Sequence, residues 1–424
     1  MVYFKTKIKF IIIPLLGLCF NTQSQETVDF MSFNIWQEGT SVSNGFEKIR
    51  DVIIETEADI ICFSEVRNYN NQDWTSEIVD ELSALGHIYQ GNYIGGDVSI
   101  ISKFPISNAS LVGSIGLYNV QLTTQTISVA CAHLDYTYYA CYLPRGYNGG
   151  SPNWDMIDDG TGNPDPILDT NQILSYNLLS TRDEHIADLL NSVNNNSNPI
   201  IFMGDFNEPS HLDWTNNTSQ LFDHNGLTIP WQNTLNLEAN GFVDAYREYF
   251  PNPATHPGIT WPSFANGIGS TSWTPLADER ERIDYIFHKG DEINTTYAAL
   301  VGPKESYAYN QITTSHTSNE NFIAYDLSWP SDHKALLTTL EFGAASISDN
   351  SYEVNLNIFP NPTKEIIQIE GLRIEATDVK IFNILGQEFS DFIIINEREI
   401  DISELPKGLY LLKIKSFANK VYKL

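Results

Sequence analysis

Short, nearly continuous apolar segments recur along residues 26–342, and segments with helical spacing of apolar residues lie between them. Continuous apolar runs indicate strands covered on both faces, which predicts strands at residues 28–36, 59–63, 98–102, 119–122, 127–132 and 200–203. Apolar residues spaced three and four apart predict helices over 46–53, 74–85 and 186–193, with Asn44 as the N-cap of the first. Interleaved strands and helices indicate a layered α/β fold.

Polar residues stand at or beside the ends of these apolar segments, where open α/β sheets bind their ligands. They are Asn34, Glu65, His133, Asp205, Asn207, Asp284, Asp332 and His333. Each alone has an ordinary explanation, such as capping a helix or bonding to the backbone. Their recurrence favours one shared site, because uncompensated charges at buried strand ends are unfavourable.

These residue types suit the hydrolysis of a phosphate ester. Oxygen ligands such as Asn34, Glu65 and Asp332 match a hard cation, Mg²⁺ or Mn²⁺. A carboxylate such as Asp205 can take a proton from the attacking water, and Asn207 can hold that carboxylate or the water in line. Zinc is disfavoured, because the sequence has no compact cluster of His and Cys.

Six short segments occur in the order seen in the endonuclease/exonuclease/phosphatase superfamily, and residues 28–342 resemble that superfamily. The segments are Met31-Ser32-Phe33-Asn34-Ile35-Trp36, Ser64-Glu65-Val66, His133-Leu134, Gly204-Asp205-Phe206-Asn207, Arg282-Ile283-Asp284-Tyr285 and Ser331-Asp332-His333. The resemblance implies a DNase I-like four-layer α/β/β/α sandwich, in which two packed sheets are flanked by helices.

The resemblance also implies a role for each residue at the strand ends. Asn34, Glu65 and Asp332 would sit at the metal, Asp205 and Asn207 would handle the nucleophilic water, His133 would bind the phosphate, and His333 with Asp284 would act as acid/base or phosphate ligand. In members that act on abasic DNA, the first segment has the pattern Asn-x-Asp. Trp36 stands at the place of that Asp here, which disfavours an abasic-site enzyme.

Residues 136–177 form a long segment with little periodicity, and segments of this length in a compact domain are typically functional lids or disordered. Its tyrosines either stack on a substrate or pack the lid onto the sheet, and Tyr142 and Arg145 are the candidates for substrate binding. The segment also holds Asp155, Asp158, Asp159, Asp165 and Asp169. Their spacing does not match an EF-hand loop, so a solvated loop is the favoured interpretation.

Residues 1–24 have a basic flank, a short apolar run and small or polar residues after it, which predicts a secretory signal peptide. No later segment approaches the ~20 apolar residues of a membrane span, so we expect none in the mature chain. Cys62, Cys131 and Cys141 are too few for a disulfide framework; a bond between Cys131 and Cys141 and buried free thiols are both open.

Residues 343–351 read as a polar linker, and residues 352–424 as short strands that predict a small β-sandwich. The segments Pro360-Asn361-Pro362, Leu385-Gly386-Gln387 and Gly408-Leu409-Tyr410 resemble the C-terminal sorting domain of the type IX secretion system of Bacteroidetes. This resemblance implies handling by that machinery, and release or attachment outside the outer membrane. A carbohydrate-binding sandwich is the alternative, although residues 352–424 contain no Trp.

The balance of charged residues restricts the classes of substrate that the sequence favours. Lys and Arg number 24 against 53 Asp and Glu, a net charge of −29. Sequence-independent nucleic-acid binding relies on Lys and Arg, so nucleic acid is expected as a substrate only. The favoured function is a secreted phosphodiesterase or phosphatase for a small, sugar or lipid-headgroup phosphate. A secreted DNase and a catalytically inactive surface protein are alternatives, and a glycosidase leaves the histidines and Asn207 unexplained.

Overall fold

The computed structural model describes residues 25–158, 160–194, 196–265, 268–314, 319–323, 328–343, 357–370, 379–383, 388–389, 393–396, 398–414 and 417–423. The chain divides into two compact units, Met1–Ala345 and Ser346–Leu424. The predicted signal peptide lies outside the described residues, and so does the predicted linker except for residue 343. Both therefore stay predictions.

The first unit alternates strands with helices as the sequence predicts. The helices are α1 (Gly45–Thr56), α2 (Trp74–Ala84), α3 (Thr170–Asn177), α4 (Arg182–Val193), α5 (Gln232–Ala239) and α6 (Ala245–Tyr249). The strands are β1 (Glu26–Asn34), β2 (Ile60–Ser64), β3 (Gln90–Gly95), β4 (Val98–Ser102), β5 (Ile106–Val112), β6 (Ile115–Gln121), β7 (Thr126–His133), β8 (Ile200–Asp205), β9 (Val243–Asp244), β10 (Asp284–Lys289), β11 (Ile293–Val301), β12 (Glu305–Ala308), β13 (Gln311–Thr314), β14 (Phe322–Ile323) and β15 (Ala335–Phe342).

Two sheets form the centre of this unit. One has the order β14-β11-β15-β1-β2-β4-β3, and the other has the order β5-β6-β7-β8-β10-β9. The pairs β1 with β2 and β7 with β8 are parallel, whereas β8 pairs with β10 in antiparallel register. Strand pairs of both kinds therefore surround β1 and β8, the strands that carry the central site residues.

Side-chain alternation along the strands builds the layers. Phe30 and Cys62 of the first sheet pack against Val129 and Met203 of the second. On the outer face of the first sheet, alternate residues such as Phe33 pack with α1 and α2. On the outer face of the second sheet, residues such as Phe202 pack with α4 and α5. This helix, sheet, sheet, helix order confirms the expected four-layer sandwich.

The structure decides two local questions. Asn44 occupies the predicted N-cap position of α1, but it adopts a left-handed conformation with φ 55° and its side chain makes no capping bond, so the predicted capping interaction is absent. Of the two alternatives for the cysteines, the structure has the second: Cys62, Cys131 and Cys141 are buried free thiols. None of the described helices is both long and apolar enough to span a membrane.

The second unit contains short strands, as expected. They are β16 (Asn357–Phe359), β17 (Ile366–Glu370), β18 (Val379–Asn383), β19 (Glu388–Phe389), β20 (Ile393–Asn396), β21 (Glu399–Asp401), β22 (Gly408–Ile414) and β23 (Phe417–Lys423). Two four-stranded sheets form, β16-β17-β21-β20 and β19-β18-β22-β23. Ile367 and Ile400 of the first share one apolar cluster with Ile381 and Leu412 of the second, which makes a small sandwich.

Candidate active site

Strand register brings the predicted residues together. His133 at the end of β7 is the register partner of Asp205 at the end of β8, and Asp205 is also the partner of Asp284 at the start of β10. In the facing sheet, Asn34 ends β1 beside Ser64 of β2, and Glu65 follows directly. The same edge of the two-sheet core therefore presents residues from five segments.

Asp205 lies at the centre of this group. Its Oδ2 atom accepts a hydrogen bond of 2.9 Å from Asn34 Nδ2, and its Oδ1 atom accepts one of 2.9 Å from the Asn207 backbone N–H. The Nε2 atoms of His333 and His133 lie 3.7 Å and 3.9 Å from Asp205 Oδ2. Burial and the nearby Asp284 charge raise the pKa of Asp205 to about 6, although both histidines oppose the shift.

Each site histidine is held by a carboxylate on its other nitrogen. His333 Nδ1 lies 2.9 Å from Asp284 Oδ2, and His133 Nδ1 lies 2.7 Å from Asp97 Oδ2. Burial alone would lower the pKa of His333, but Asp284 and Asp205 outweigh it and raise that pKa to about 10. The pKa of His133 is raised in the same way, mainly through its bond to Asp97. Both Nε2 atoms are thus oriented toward Asp205.

The predicted metal ligands Asn34, Glu65 and Asp332 lie together at this site. Asn34 Nδ2 donates to Glu65 Oε1 at 3.3 Å, whereas Asn34 Oδ1, the atom that could bind a cation, accepts from the Trp36 backbone N–H at 3.0 Å. Asp332 Oδ1 is buried with no hydrogen-bond partner, an arrangement that a cation would satisfy. Burial raises the pKa of Asp332 to about 7. Asp205, Asp284 and His333 also bring ligand atoms within 4.8 Å of one another.

Backbone conformations at the site are unusual. Glu65 and Asn207 have φ values of 69° and 48°, in the left-handed region that non-glycine residues seldom adopt. Gly204 has φ 143°, and a Cβ atom there would approach the Ala132 carbonyl oxygen to 1.9 Å. Glycine is therefore required immediately before Asp205, because any larger residue would push β8 away from β7.

A cleft of about 340 Å³ opens over these residues. Its lining includes the carboxylates of Glu65, Asp205 and Asp332 together with an aromatic wall. The aromatic residues that line the cleft are Trp36, Tyr136, Tyr139, Tyr142, Trp154, Trp261 and Trp273. This size falls in the range of small-molecule sites, roughly 300–1,000 Å³.

The structure separates the two residues expected to bind substrate. Tyr142 lines the cleft, and its hydroxyl donates to Glu279 Oε2 at 2.7 Å. Arg145 has to be reassigned: its side chain is 0% exposed and does not line the cleft. Its guanidinium uses four of its five N–H donors inside the protein, on the carbonyls of Asp278, Cys141 and Phe222 and on the Glu281 carboxylate, so it is held away from substrate.

The lid over residues 136–177 combines both interpretations of its tyrosines. Tyr139, Tyr142 and Tyr147 are buried in one cluster with Trp214 and Trp231, which packs the lid onto the sandwich. Tyr136 remains 55% exposed at the cleft. The described aspartates of the lid form no group close enough to hold a metal ion.

Sequence reasoning missed Arg67 and Asp97. Arg67 NH1 lies 2.9 Å from Asp97 Oδ2, and Arg67 NH2 lies 3.6 Å from Glu65. Arg67 is the one Lys or Arg among the described residues that line the cleft. Its position two residues after Glu65 was the available signal, whereas Asp97 sits in a Gly-Gly-Asp turn between β3 and β4 that gives no sign of its partner.

Comparison with known proteins gives a family match for each unit of the chain. A model of the Endonuclease/Exonuclease/phosphatase family matches residues 31–333, and one of a secretion system C-terminal sorting domain matches residues 357–424. The uncharacterized protein F14F9.5 of Caenorhabditis elegans is 29% identical over 347 residues, or 79% of this chain and 99% of that protein. Truncated TDP2 of C. elegans is 16% identical over 74% of this chain and 97% of its own, with a TM-score of 0.41. The human Nocturnin catalytic domain with bound sulfate is 15% identical over 75% and 97%, with a TM-score of 0.40.

Proposed function

Because the chain belongs to the endonuclease/exonuclease/phosphatase family and is a phosphoester hydrolase, we propose that it cleaves a small, sugar or lipid-headgroup phosphate by in-line attack of water. The observation that carries this proposal is the convergence of Asn34, Asn207, His133 and His333 on the Asp205 carboxylate. The sorting domain indicates secretion through the type IX system to the cell surface or beyond.

Asp205 is proposed to accept the proton of the attacking water. Asn34 and the Asn207 backbone fix both carboxylate oxygens, so the carboxylate reaches the reaction already oriented. The Asn207 side chain donates to the Leu134 carbonyl at 3.0 Å, which anchors the turn after β8. The water oxygen then forms its bond to phosphorus while the bond from phosphorus to the leaving oxygen breaks.

His133 and His333 are proposed to stabilise the charge on the phosphoryl oxygens. Asp97 and Asp284 accept from their Nδ1 atoms, which leaves each Nε2–H to donate to a non-bridging or leaving oxygen. A divalent cation bound by Asn34, Glu65 and Asp332, which we propose to be Mg²⁺ or Mn²⁺, would neutralise further phosphate charge.

The cleft favours a small substrate over duplex DNA. Among the described residues that line the cleft, Arg67 is the one Lys or Arg, whereas a protein that binds the DNA backbone presents many such side chains. Exposed rings such as Tyr136 and Trp273 are the observation that keeps a nuclease as second candidate, because bases stack on aromatic side chains.

Hydrolysis assays on the full chain test the proposal. Bis-p-nitrophenyl phosphate, p-nitrophenyl phosphate, plasmid DNA and sphingomyelin would be compared with Mg²⁺, with Mn²⁺ and with EDTA. We expect metal-dependent turnover that Asp205→Ala abolishes, while Asp188→Ala on the exposed face of α4 keeps it. Faster cleavage of plasmid DNA than of every small ester would replace the proposed function with the nuclease.

A further inference from the structure

A buried carboxylate lies directly behind the aromatic wall of the cleft. Glu279 is 0% exposed, and it accepts hydrogen bonds from the Tyr142 hydroxyl at 2.7 Å and from the Trp273 backbone N–H at 2.9 Å. The Thr274 N–H donates to it as well, at 3.2 Å. Burial raises the pKa of this carboxyl, while the hydrogen bonds that it accepts oppose the shift. A group that accepts from so many donors and donates to none of them is suited to the ionised form.

Glu279 has no cationic partner among the described residues. No Lys, Arg or His of that part of the chain lies within 4.0 Å of its carboxylate, although Glu281, two residues later, pairs with Arg145 at 2.7 Å. Buried charges are usually paired. The missing positive charge is therefore expected from outside the protein, on the other side of the rings of Tyr142 and Trp273.

The rings in front of Glu279 form a continuous row that starts at the catalytic residues. Trp261 lies 6.5 Å from His333, Tyr142 lies 6.3 Å from Trp261, and Trp154 lies 5.9 Å from Tyr142, as measured between ring centroids. Trp273 follows at 4.7 Å from Trp154, with the two ring planes at 88°. A ligand held at His333 by its phosphate thus extends along aromatic faces toward the Trp154–Trp273 corner.

We propose that this aromatic corner binds a quaternary ammonium group, so that the substrate is a choline phosphodiester. The inference rests on the proposed function, since it places the phosphate at Asp205 and the cation against Trp154, Trp273 and Tyr142. A cation over an aromatic face is attracted by the negative face of the ring, and perpendicular rings give it two such faces. The negative charge of Glu279 behind the wall strengthens that attraction.

A planar base fits the same corner less well. Tyr136 and Trp154 are parallel, but their centroids lie 6.3 Å apart, less than the roughly 7 Å that a ring in contact with both would need. Trp154 and Trp273 are perpendicular and offer no second parallel face. The one Lys or Arg among the described lining residues, Arg67, contacts Glu65 and Asp97. The cleft is therefore complementary to a zwitterion with its phosphate at the Arg67 end.

The reaction follows from this placement. Water oxygen bonds to phosphorus, the bond from phosphorus to the second alcohol breaks, and that alcohol leaves with a proton while phosphocholine is released. The second alcohol belongs to a lipid or to a small molecule such as glycerol. Sphingomyelin vesicles and soluble glycerophosphocholine separate these two sources.

The test compares a cationic ester with its uncharged twin on the full chain. The pair is p-nitrophenyl phosphocholine and p-nitrophenyl 3,3-dimethylbutyl phosphate, in which carbon replaces the quaternary nitrogen. We expect kcat/KM to be about tenfold higher for the choline ester, the order of one or two desolvated cation–π contacts. A ratio near one, or a higher value for the p-nitrophenyl ester of thymidine 5′-phosphate, would overturn the proposal.

Variants then locate the preference. Trp273→Leu and Glu279→Gln should reduce the ratio severalfold, whereas Trp273→Phe, which keeps a ring, should keep most of it. Glu55→Gln removes one exposed negative charge and should leave the ratio unchanged. Loss of all turnover on bis-p-nitrophenyl phosphate would refute the proposed function. Turnover on that ester with an unchanged ratio in Trp273→Leu would refute only the ammonium site.

Discussion

His333 Nδ1 lies 2.9 Å from Asp284 Oδ2, and this contact joins the loop before β15 to the first residue of β10. The second oxygen of Asp284 is buried without a partner, so the carboxylate is committed to His333. Its negative charge, together with that of Asp205, outweighs burial and raises the pKa of the His333 imidazole to about 10.

Replacing Asp284 tests the importance of this contact. Asp284→Asn keeps the size of the side chain but removes the charge that supports the His333 imidazolium, so we expect kcat to fall by about 10²–10⁴ with a smaller change in KM. Steady-state kinetics on p-nitrophenyl esters measure the effect. The control is Asp291→Asn, an exposed residue just after β10. A decrease below threefold would contradict this role.

Asp97 and His133 form the corresponding pair on the other side of Asp205. Asp97→Asn should lower kcat/KM by about 10- to 100-fold, because the 2.7 Å contact orients the His133 ring. If Asp97 acts through His133, the double variant Asp97→Asn/His133→Ala should be no worse than His133→Ala alone. Additive losses would show that Asp97 acts independently, for example through Arg67.

Metal binding should be visible in stability as well as in activity. The charges of Glu65 and Asp205 both act on the buried Asp332 carboxyl, so Mn²⁺ should raise the Tm of the wild type by about 5 °C over its value in EDTA. Asp332→Asn should remove most of that increase and should also raise the Tm in EDTA, since it removes one repelling charge. Differential scanning fluorimetry measures both. An unchanged response to Mn²⁺ in this variant would place the cation elsewhere.

The sequence predicted the site better than its surroundings. The site residues at the ends of apolar strands could be predicted, because parallel neighbouring strands bring such ends together. These residues are Asn34, Glu65, His133, Asp205 and Asp284. The two-sheet arrangement followed from resemblance, since apolar runs alone do not reveal which strands pair. The position of Asn44 at the N-cap was predicted, but its missing capping bond was not, because the Asn-x-x-Glu pattern does not reveal the left-handed backbone at this residue.

The binding wall could not be predicted for a related reason. Glu279 meets Tyr142 across 137 positions of sequence, and Arg145 meets Glu281 across 136. No local pattern distinguishes an arginine that points at substrate from one that is buried and hydrogen-bonded inside the protein. Composition identified an aromatic lid, but burial decided which of its rings face the cleft.

The reassignment of Arg145 gives a stability prediction. Arg145→Ala leaves Glu281 buried without its ion-pair partner, so the free energy of unfolding should fall by about 3–5 kcal/mol. Arg145→Lys keeps the charge but loses the guanidinium contacts to three carbonyls, and it should be destabilised less. Urea unfolding measures both, and KM is measured on the folded Arg145→Lys protein. A raised KM with unchanged stability would restore Arg145 as a substrate ligand.

His224 should contribute a loss of stability in mild acid. Its ring stacks on Trp214 with centroids 3.7 Å apart, both ring nitrogens are buried without hydrogen bonds, and Glu281 lies 3.8 Å from Nε2. Burial and the Arg145 charge lower its pKa well below the usual value, so the folded protein keeps this histidine neutral. The unfolded chain takes up a proton below about pH 6.5, and therefore binds more protons than the folded state there.

The contribution of His224 to stability should consequently fall as the pH drops below 6.5, by an amount that approaches 1.4 kcal/mol per pH unit. Asp332 and Asp205 contribute in the opposite direction, because their raised pKa values of about 7 and about 6 let the folded state take up protons first. Urea unfolding in EDTA at pH 7.5 and 5.5 isolates the His224 contribution as the difference between wild type and His224→Phe, which keeps a ring on Trp214 but cannot be protonated. Between pH 7.5 and 5.5 the free energy of unfolding of His224→Phe should change more favourably than that of the wild type, whereas the matched control His87→Gln should follow the wild type. Equal changes in wild type and His224→Phe would contradict the predicted role of His224.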